Sequence, residues 1–158
     1  MSRHDIKRFS SMTETSVEKI FEMTSSPDEL KLIRGKVTGL LAQSDLPQKA
    51  KDALLVVLGE ACTNAIRHAY GNQPGHKIIV TYREDGAKVV LIIRDFGKKI
   101  DLAKVPKPQL PPQKGGGLGI YFMETMTDKM QYNTAHAEGN ELILTKFKEK
   151  GAPSNPAA

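Results

Sequence analysis

The 158-residue chain contains no tryptophan, one cysteine and only 6% aromatic residues. A lone cysteine, Cys62, cannot close an internal disulfide, which removes the class of small disulfide-stapled scaffolds. No apolar run approaches the ~18 residues that a membrane-spanning helix needs. The first residues, MSRHDIKRFSSMTETS, are polar and lack the apolar centre of a secretory leader. A cytoplasmic setting is therefore expected. Scarce aromatics also argue against a nucleic-acid surface, which interleaves base-stacking rings with a basic helix or sheet face.

What is present is the balance of a single globular domain, with 39% hydrophobic and 26% charged residues. The net charge of +5 is unevenly placed. Residues 98–114 hold five lysines against one aspartate, and both chain ends are basic. A basic loop suits a phosphate-bearing ligand or an acidic protein partner. The same stretch carries Pro106, Pro108, Pro111 and Pro112. A structureless loop of that length in a compact domain usually has a use, such as a lid.

Periodicity gives the frame. Alternation predicts strands at 17–23, 76–83 and 88–95, with Asp85-Gly86 as a hairpin signal, and further strands near 130–135 and 141–147. Ser26-Pro27-Asp28-Glu29 has the form of a capping box that opens a helix, followed by Leu30, Ile33, Val37, Leu40 and Leu41 at helical spacing. Pro47 opens a second helix expected to run to about Tyr70, where Gly71 stops it. A third follows the glycines at 115–119 and runs to about Asp128. The order β-α-α-β-β-loop-α-β-β lacks regular βαβ alternation. It predicts an α+β fold: a two-layer α/β sandwich with a mixed, mainly antiparallel sheet and helices on one face. Residues 16–148 form the expected domain, between flexible segments at 1–15 and 149–158.

Three constellations carry chemistry. Glu60, Asn64 and His68 are four apart, so a helix sets them in one polar row beside the small residues Ala61, Ala65 and Ala69. A carboxylate and an amide one turn apart can divide two tasks, ligating a hard cation and accepting a proton. Asp95 closes the apolar run VVLII and is followed by Phe96-Gly97. A carboxylate at the end of a buried strand needs a partner, and an adenine amino group is a suitable one. Lys114-Gly115-Gly116-Gly117-Leu118-Gly119 then precedes a helix. Its glycines let backbone N–H groups approach phosphate closely, with the positive helix end behind them. It is neither a Walker A loop nor a dinucleotide fingerprint.

In combination these segments resemble a known group. EACTNAIRHAYG is similar to the N box of the GHKL ATPase superfamily. RDFGKKID resembles its first glycine box, and KGGGLGIYFMETMTDKMQY its second. Within that superfamily the short chain, E-x-x-x-N-x-x-x-H-x-Y and G-G-L-G resemble the small bacterial anti-sigma-factor serine kinases. The resemblance covers about residues 15–148 and implies the Bergerat ATP-binding fold, with residues 98–114 as the ATP lid. It implies ATP and Mg²⁺ as cofactors, Glu60 as general base and Asn64 as the Mg²⁺ ligand. Asp95 would bond the adenine, with Gly97 beneath the base. His68, Lys114, Gly115, Gly116, Gly117, Leu118 and Gly119 complete the implied ATP-binding set. The implied partners are a STAS-type anti-sigma-factor antagonist, phosphorylated on serine, and a sigma factor. A homodimer is also implied. The alternative is a nucleotide-gated module that sequesters a regulatory protein without transferring phosphate. Two departures bear on the choice. Lys98 stands where the first glycine box often has its second glycine, and Lys114 stands where some relatives have arginine. Lysine lacks the forked geometry of guanidinium.

Overall fold

The computed structural model describes residues 16–104 and 118–149. Five strands and three α-helices alternate as the periodicity predicts: β1 (Val17–Thr24), α1 (Pro27–Ala42), α2 (Gln48–Asn64), β2 (Lys77–Glu84), β3 (Lys88–Asp95), α3 (Leu118–Met126), β4 (Lys129–Tyr132) and β5 (Asn140–Phe147). The sheet order is β1-β2-β3-β5-β4, and all four pairings are antiparallel. The expected antiparallel character holds, but no pairing among the described strands is parallel, so the sheet is not mixed. The expectations for residues 1–15, 105–114 and 150–158, and for Gly115, Gly116 and Gly117, lie outside the described residues.

Each strand's period of two assigns its faces. In β3, buried Val89, Leu91, Ile93 and Asp95 alternate with half-buried Lys88, Val90, Ile92 and Arg94. Register puts Ile78, Val80 and Tyr82 of β2 and Leu142 and Leu144 of β5 on the same side. Against them pack Ile33, Val37 and Leu41 of α1, Leu54, Leu58, Ala61 and Cys62 of α2, and Met123 of α3. Each fully buried leucine or isoleucine contributes roughly 2 kcal/mol. One apolar face covered by helices gives the two-layer α+β sandwich. The edge strand β1 alternates poorly because only its end is covered: Ile20 is exposed and Met23 is buried.

Two local expectations change. Ser26 does cap α1, but its side chain makes no capping bond. Glu29 instead accepts the N–H and hydroxyl of Thr24, at 2.6 and 2.8 Å. The turn from β1 into α1 is so tight that Ser26 N–H bonds the Thr24 carbonyl, which brings Thr24 rather than Ser26 to the carboxylate. The second helix does not run as one α-helix to Tyr70. It ends at Asn64 and continues as a π-helical turn, Ala65–Ala69. There the Tyr70 N–H bonds the carbonyl of Ala65, five residues back. Gly71 then takes a φ of 58° and stops the helix as expected.

At the end of the sheet where β2 finishes and β3 begins, a polar cluster joins three elements. Glu84 accepts the Ser44 hydroxyl at 2.6 Å and the Tyr82 hydroxyl at 2.8 Å. Lys148 lies 3.1 Å from Glu84 and 2.6 Å from Asp45. Burial raises the Tyr82 phenol pKa well above the usual value, and the Glu84 carboxylate raises it further.

Candidate functional site

The described residues singled out by the sequence lie on α2 and its π turn, at the end of β3 and at the start of α3. Glu60 and Asn64 lie one turn apart near the end of α2, both half-buried. The first turn of α3 lies directly on them. A Cβ on Gly119 would stand 2.7 Å from Glu60 Oε2 and 3.7 Å from the Asn64 amide. Glycine here leaves room for the Glu60 carboxylate as it stands. Leu118, beside it, is half exposed. The structure therefore joins Glu60, Asn64, Leu118 and Gly119, from segments more than fifty residues apart in sequence. After Asn64 the helix widens into the π turn, and His68 lies on that turn with its side chain exposed.

Asp95 ends β3 with 4% of its surface exposed. Burial raises its carboxyl pKa above the usual value, opposed by hydrogen bonds from Gly97 and Asn140 and by the nearby Arg94 charge. The Gly97 N–H donates to Oδ1 at 3.1 Å, and the Asn140 amide donates at 3.0 Å to Oδ1 and 3.3 Å to Oδ2. Each carboxylate oxygen has two acceptor positions. Oδ2 therefore keeps capacity for an incoming donor. Gly97 is a spatial requirement, because a Cβ there would collide with the backbone carbonyl of Ala69. That carbonyl accepts the Lys98 N–H at 2.8 Å.

Counted along D-x-G-x-G from Asp95, the second glycine falls at Lys99 rather than Lys98, and neither position needs glycine. Among the described non-glycine residues only Asn72 has a positive φ. Lys98 thus sits in a backbone conformation open to any side chain. Its N–H is held by Ala69 and its carbonyl by the Asn140 amide, at 2.9 Å. The described part of the expected lid is also anchored. Ile100 N–H donates to Asn140 Oδ1 at 2.7 Å, and Lys99 Nζ donates to the His136 carbonyl at 2.7 Å.

Asn140 and Tyr70 are functional candidates that the sequence reading did not pick as site residues. Asn140 opens β5 directly opposite Asp95. A Gly-Asn pair at the start of an alternating run was its only signal. Tyr70 ends the π turn and reaches the backbone of Phe96.

No group of three or more histidine, cysteine, aspartate or glutamate side chains suited to a metal occurs among the described residues. The Asn64 amide and the Glu60 carboxylate offer hard oxygen donors around the space beside Gly119. Magnesium commonly takes one or two protein oxygens and completes its shell with phosphates and water. The donor set fits that ion when a nucleotide accompanies it. No described helix is long and apolar enough to cross a membrane.

Comparison with known proteins agrees with this geometry. Residues 23–146 match the family model described as the histidine kinase-like ATPase domain. The serine-protein kinase RsbW of Bacillus velezensis is 26% identical over 144 residues, covering 84% of this chain and 88% of that protein. The anti-sigma F factor of Oceanobacillus iheyensis is 30% identical over 120 residues, covering 72% and 80%. A crystal structure of the RsbU and RsbW domains of Rv1364c from Mycobacterium tuberculosis superposes with a TM-score of 0.60 at 14% identity. It covers 85% of this chain, which spans a third (33%) of that longer one, and it speaks for the fold. With a matched segment that takes in α1, α2 with Glu60 and Asn64, β2 to β4, Asp95 and Gly119, the chain belongs to the histidine kinase-like ATPase domain family.

Proposed function

We propose that the protein is an ATP-dependent serine protein kinase and anti-sigma factor, which phosphorylates a small antagonist of STAS type and otherwise holds a sigma factor. The observation that carries the reading is the meeting of Glu60 and Asn64 with Gly119, on the segment whose next residues, Ala69 and Tyr70, bond the turn after Asp95. It supports a nucleotide lying with its base at Asp95 and Gly97 and its phosphates toward α3. The names of the RsbW kinases and the anti-sigma F factor support the choice of reaction and partners. A cytoplasmic protein fits these roles.

In this mechanism the Asp95 carboxylate takes a hydrogen bond from the adenine amino group. Asn64 would hold Mg²⁺, which when bound neutralises phosphate charge. Gly119, with Gly115, Gly116 and Gly117, lets the backbone approach the phosphates, and Lys114 offers a positive charge to the terminal one. Glu60 accepts the proton of the incoming serine hydroxyl. The serine oxygen forms a bond to the terminal phosphorus as the bond to the ADP oxygen breaks, so phosphoserine and ADP leave.

The test mixes the protein with radiolabelled ATP and the small antagonist protein that co-purifies with it. Label on a partner serine, lost with Glu60→Ala, is the expected result. ATP binding with no label on any partner would replace this reading with a nucleotide-gated sequestering module. Absence of ATP binding would overturn both.

A further inference from the structure

The geometry points to Tyr70 as a positioning residue for nucleotide selectivity: its hydroxyl clasps the turn that carries Asp95 and Gly97. The inference rests on the adenine reading of Asp95 and adds a residue to it. Tyr70 Oη accepts the Phe96 N–H at 2.7 Å and donates to the Lys77 carbonyl at 2.5 Å. Phe96 is the residue between Asp95 and Gly97, so this bond pins the peptide through which both are hung. The Phe96 side chain does not do the pinning. It is 41% exposed, and Arg94 and Lys77 lie over its ring.

The π turn explains why Tyr70 can reach. In a continued α-helix, the Tyr70 N–H would bond the carbonyl of Ile66. Here it bonds Ala65, and the Ile66 carbonyl takes Asn72 instead. One extra residue in the turn carries Tyr70 off the helix surface and over the ends of β2 and β3. Wide turns of this kind cost helical regularity and gather at functional sites. The two hydrogen bonds hold the hydroxyl in place, and the ring also stacks on His76, with centroids 4.8 Å apart and planes inclined by 14°. The neighbouring Ala69 carbonyl holds Lys98, so the segment bearing Glu60 and Asn64 grips the Asp95 turn at two successive residues. Only one grip is a side chain, and so only Tyr70 is open to substitution without altering the backbone.

Phe96 N–H and the Lys77 carbonyl both lose their partner in Tyr70→Phe, while the ring and its stacking remain. A freed Phe96 peptide lets the Asp95 carboxylate drift from the purine edge. A hydrogen bond of this kind shifts an equilibrium by about five- to tenfold. The experiment is calorimetry of the full chain with ATP and with inosine triphosphate, which carries oxygen in place of the adenine amino group. Tyr70→Phe is expected to weaken ATP by about five- to tenfold and inosine triphosphate much less. In an Asp95→Asn background the same change is expected to cost under about twofold, because the two residues act through one contact. Equal weakening of both nucleotides, full additivity with Asp95→Asn, or wild-type ATP affinity each overturn the inference. His76→Ala, which removes the stacking and keeps the hydroxyl, is expected to leave ATP affinity within about twofold. A loss as large as that of Tyr70→Phe would assign the effect to ring packing and overturn the clasp. Amide exchange in the wild-type protein gives a check without any variant. The Phe96 N–H is expected to be protected, and a rapidly exchanging Phe96 amide overturns the inference. If Asp95→Asn alone binds ATP as the wild type does, the adenine reading of Asp95 fails, whatever Tyr70→Phe shows.

Discussion

The Glu60 carboxylate occupies the space next to Gly119, with Oε2 only 2.7 Å from where a Cβ would be. A methyl group at that position meets the tip of a flexible side chain, so the strain is relieved by moving Glu60 and not the backbone. Gly119→Ala should therefore separate stability from catalysis. Alanine in a helix is favoured over glycine by up to ~1 kcal/mol. The melting temperature is expected to hold or rise slightly, while phosphoryl transfer falls by about tenfold or more as the base is displaced. Single-turnover rates and a thermal melt on the same sample check both halves.

Glu60 itself should matter to the chemical step and little to binding. Glu60→Gln keeps the shape and removes the proton acceptor. Serine phosphorylation is expected to fall by about 10²–10⁴-fold, the usual contribution of a positioned general base. ATP affinity by calorimetry should remain near that of the wild type. A phosphorylation rate at the wild-type level would remove Glu60 from the mechanism.

Asp95→Asn is expected to weaken ATP by about tenfold or more, as loss of a charged acceptor does. It should also change the protein's response to acid. Burial raises the folded-state pKa of Asp95 above its unfolded value of 3.8. A carboxyl with a raised pKa favours folding in its protonated form. Its contribution is fully present below 3.8 and is lost as pH rises through the raised value. Asp95→Asn should remove that loss, so the variant gains stability relative to the wild type above this window. Chemical denaturation at several pH values measures it.

Glu84 has the opposite sign. Burial would raise its carboxyl, but the bonds from Ser44, Tyr82 and Lys148 outweigh burial and hold it below its usual 4.5. Its stabilising contribution is present above 4.5 and is lost as pH falls through the lowered value. Glu84→Ala also leaves the buried Tyr82 hydroxyl without its acceptor. The expected cost at neutral pH is about 2 kcal/mol, or roughly 6 °C in melting temperature. The difference from the wild type should shrink in acid. Equal melting of both proteins at neutral pH would show that the cluster contributes little.

Local pattern carried much of the fold. The α1 stripe of Ile33, Val37 and Leu41 and the β3 alternation of Val89, Leu91 and Ile93 are buried as their spacing demands. Spacing also joined Glu60 to Asn64, since both lie on one regular helix. It did not foresee the π turn that carries His68, because nothing local announces that the helix widens after Asn64. Asn140, and the contact made by Tyr70 at the end of the E-x-x-x-N-x-x-x-H-x-Y pattern, escaped for another reason. Their partners Asp95 and Phe96 lie 45 and 26 residues away in the chain, beyond the reach of any short pattern.

The sequence by itself determined the elements, the antiparallel character of the sheet and the chemical types available: a carboxylate and an amide one turn apart, a strand-end aspartate and glycines before a helix. Those follow from backbone periodicity and side-chain chemistry, which are local. Only the tertiary structure decided that Gly119 lies on Glu60, that Asn140 and not solvent satisfies Asp95, and that Tyr70 holds the turn between Asp95 and Gly97. Those depend on how β5 registers with β3 and how a π turn ends α2, and they are set by packing across the whole domain.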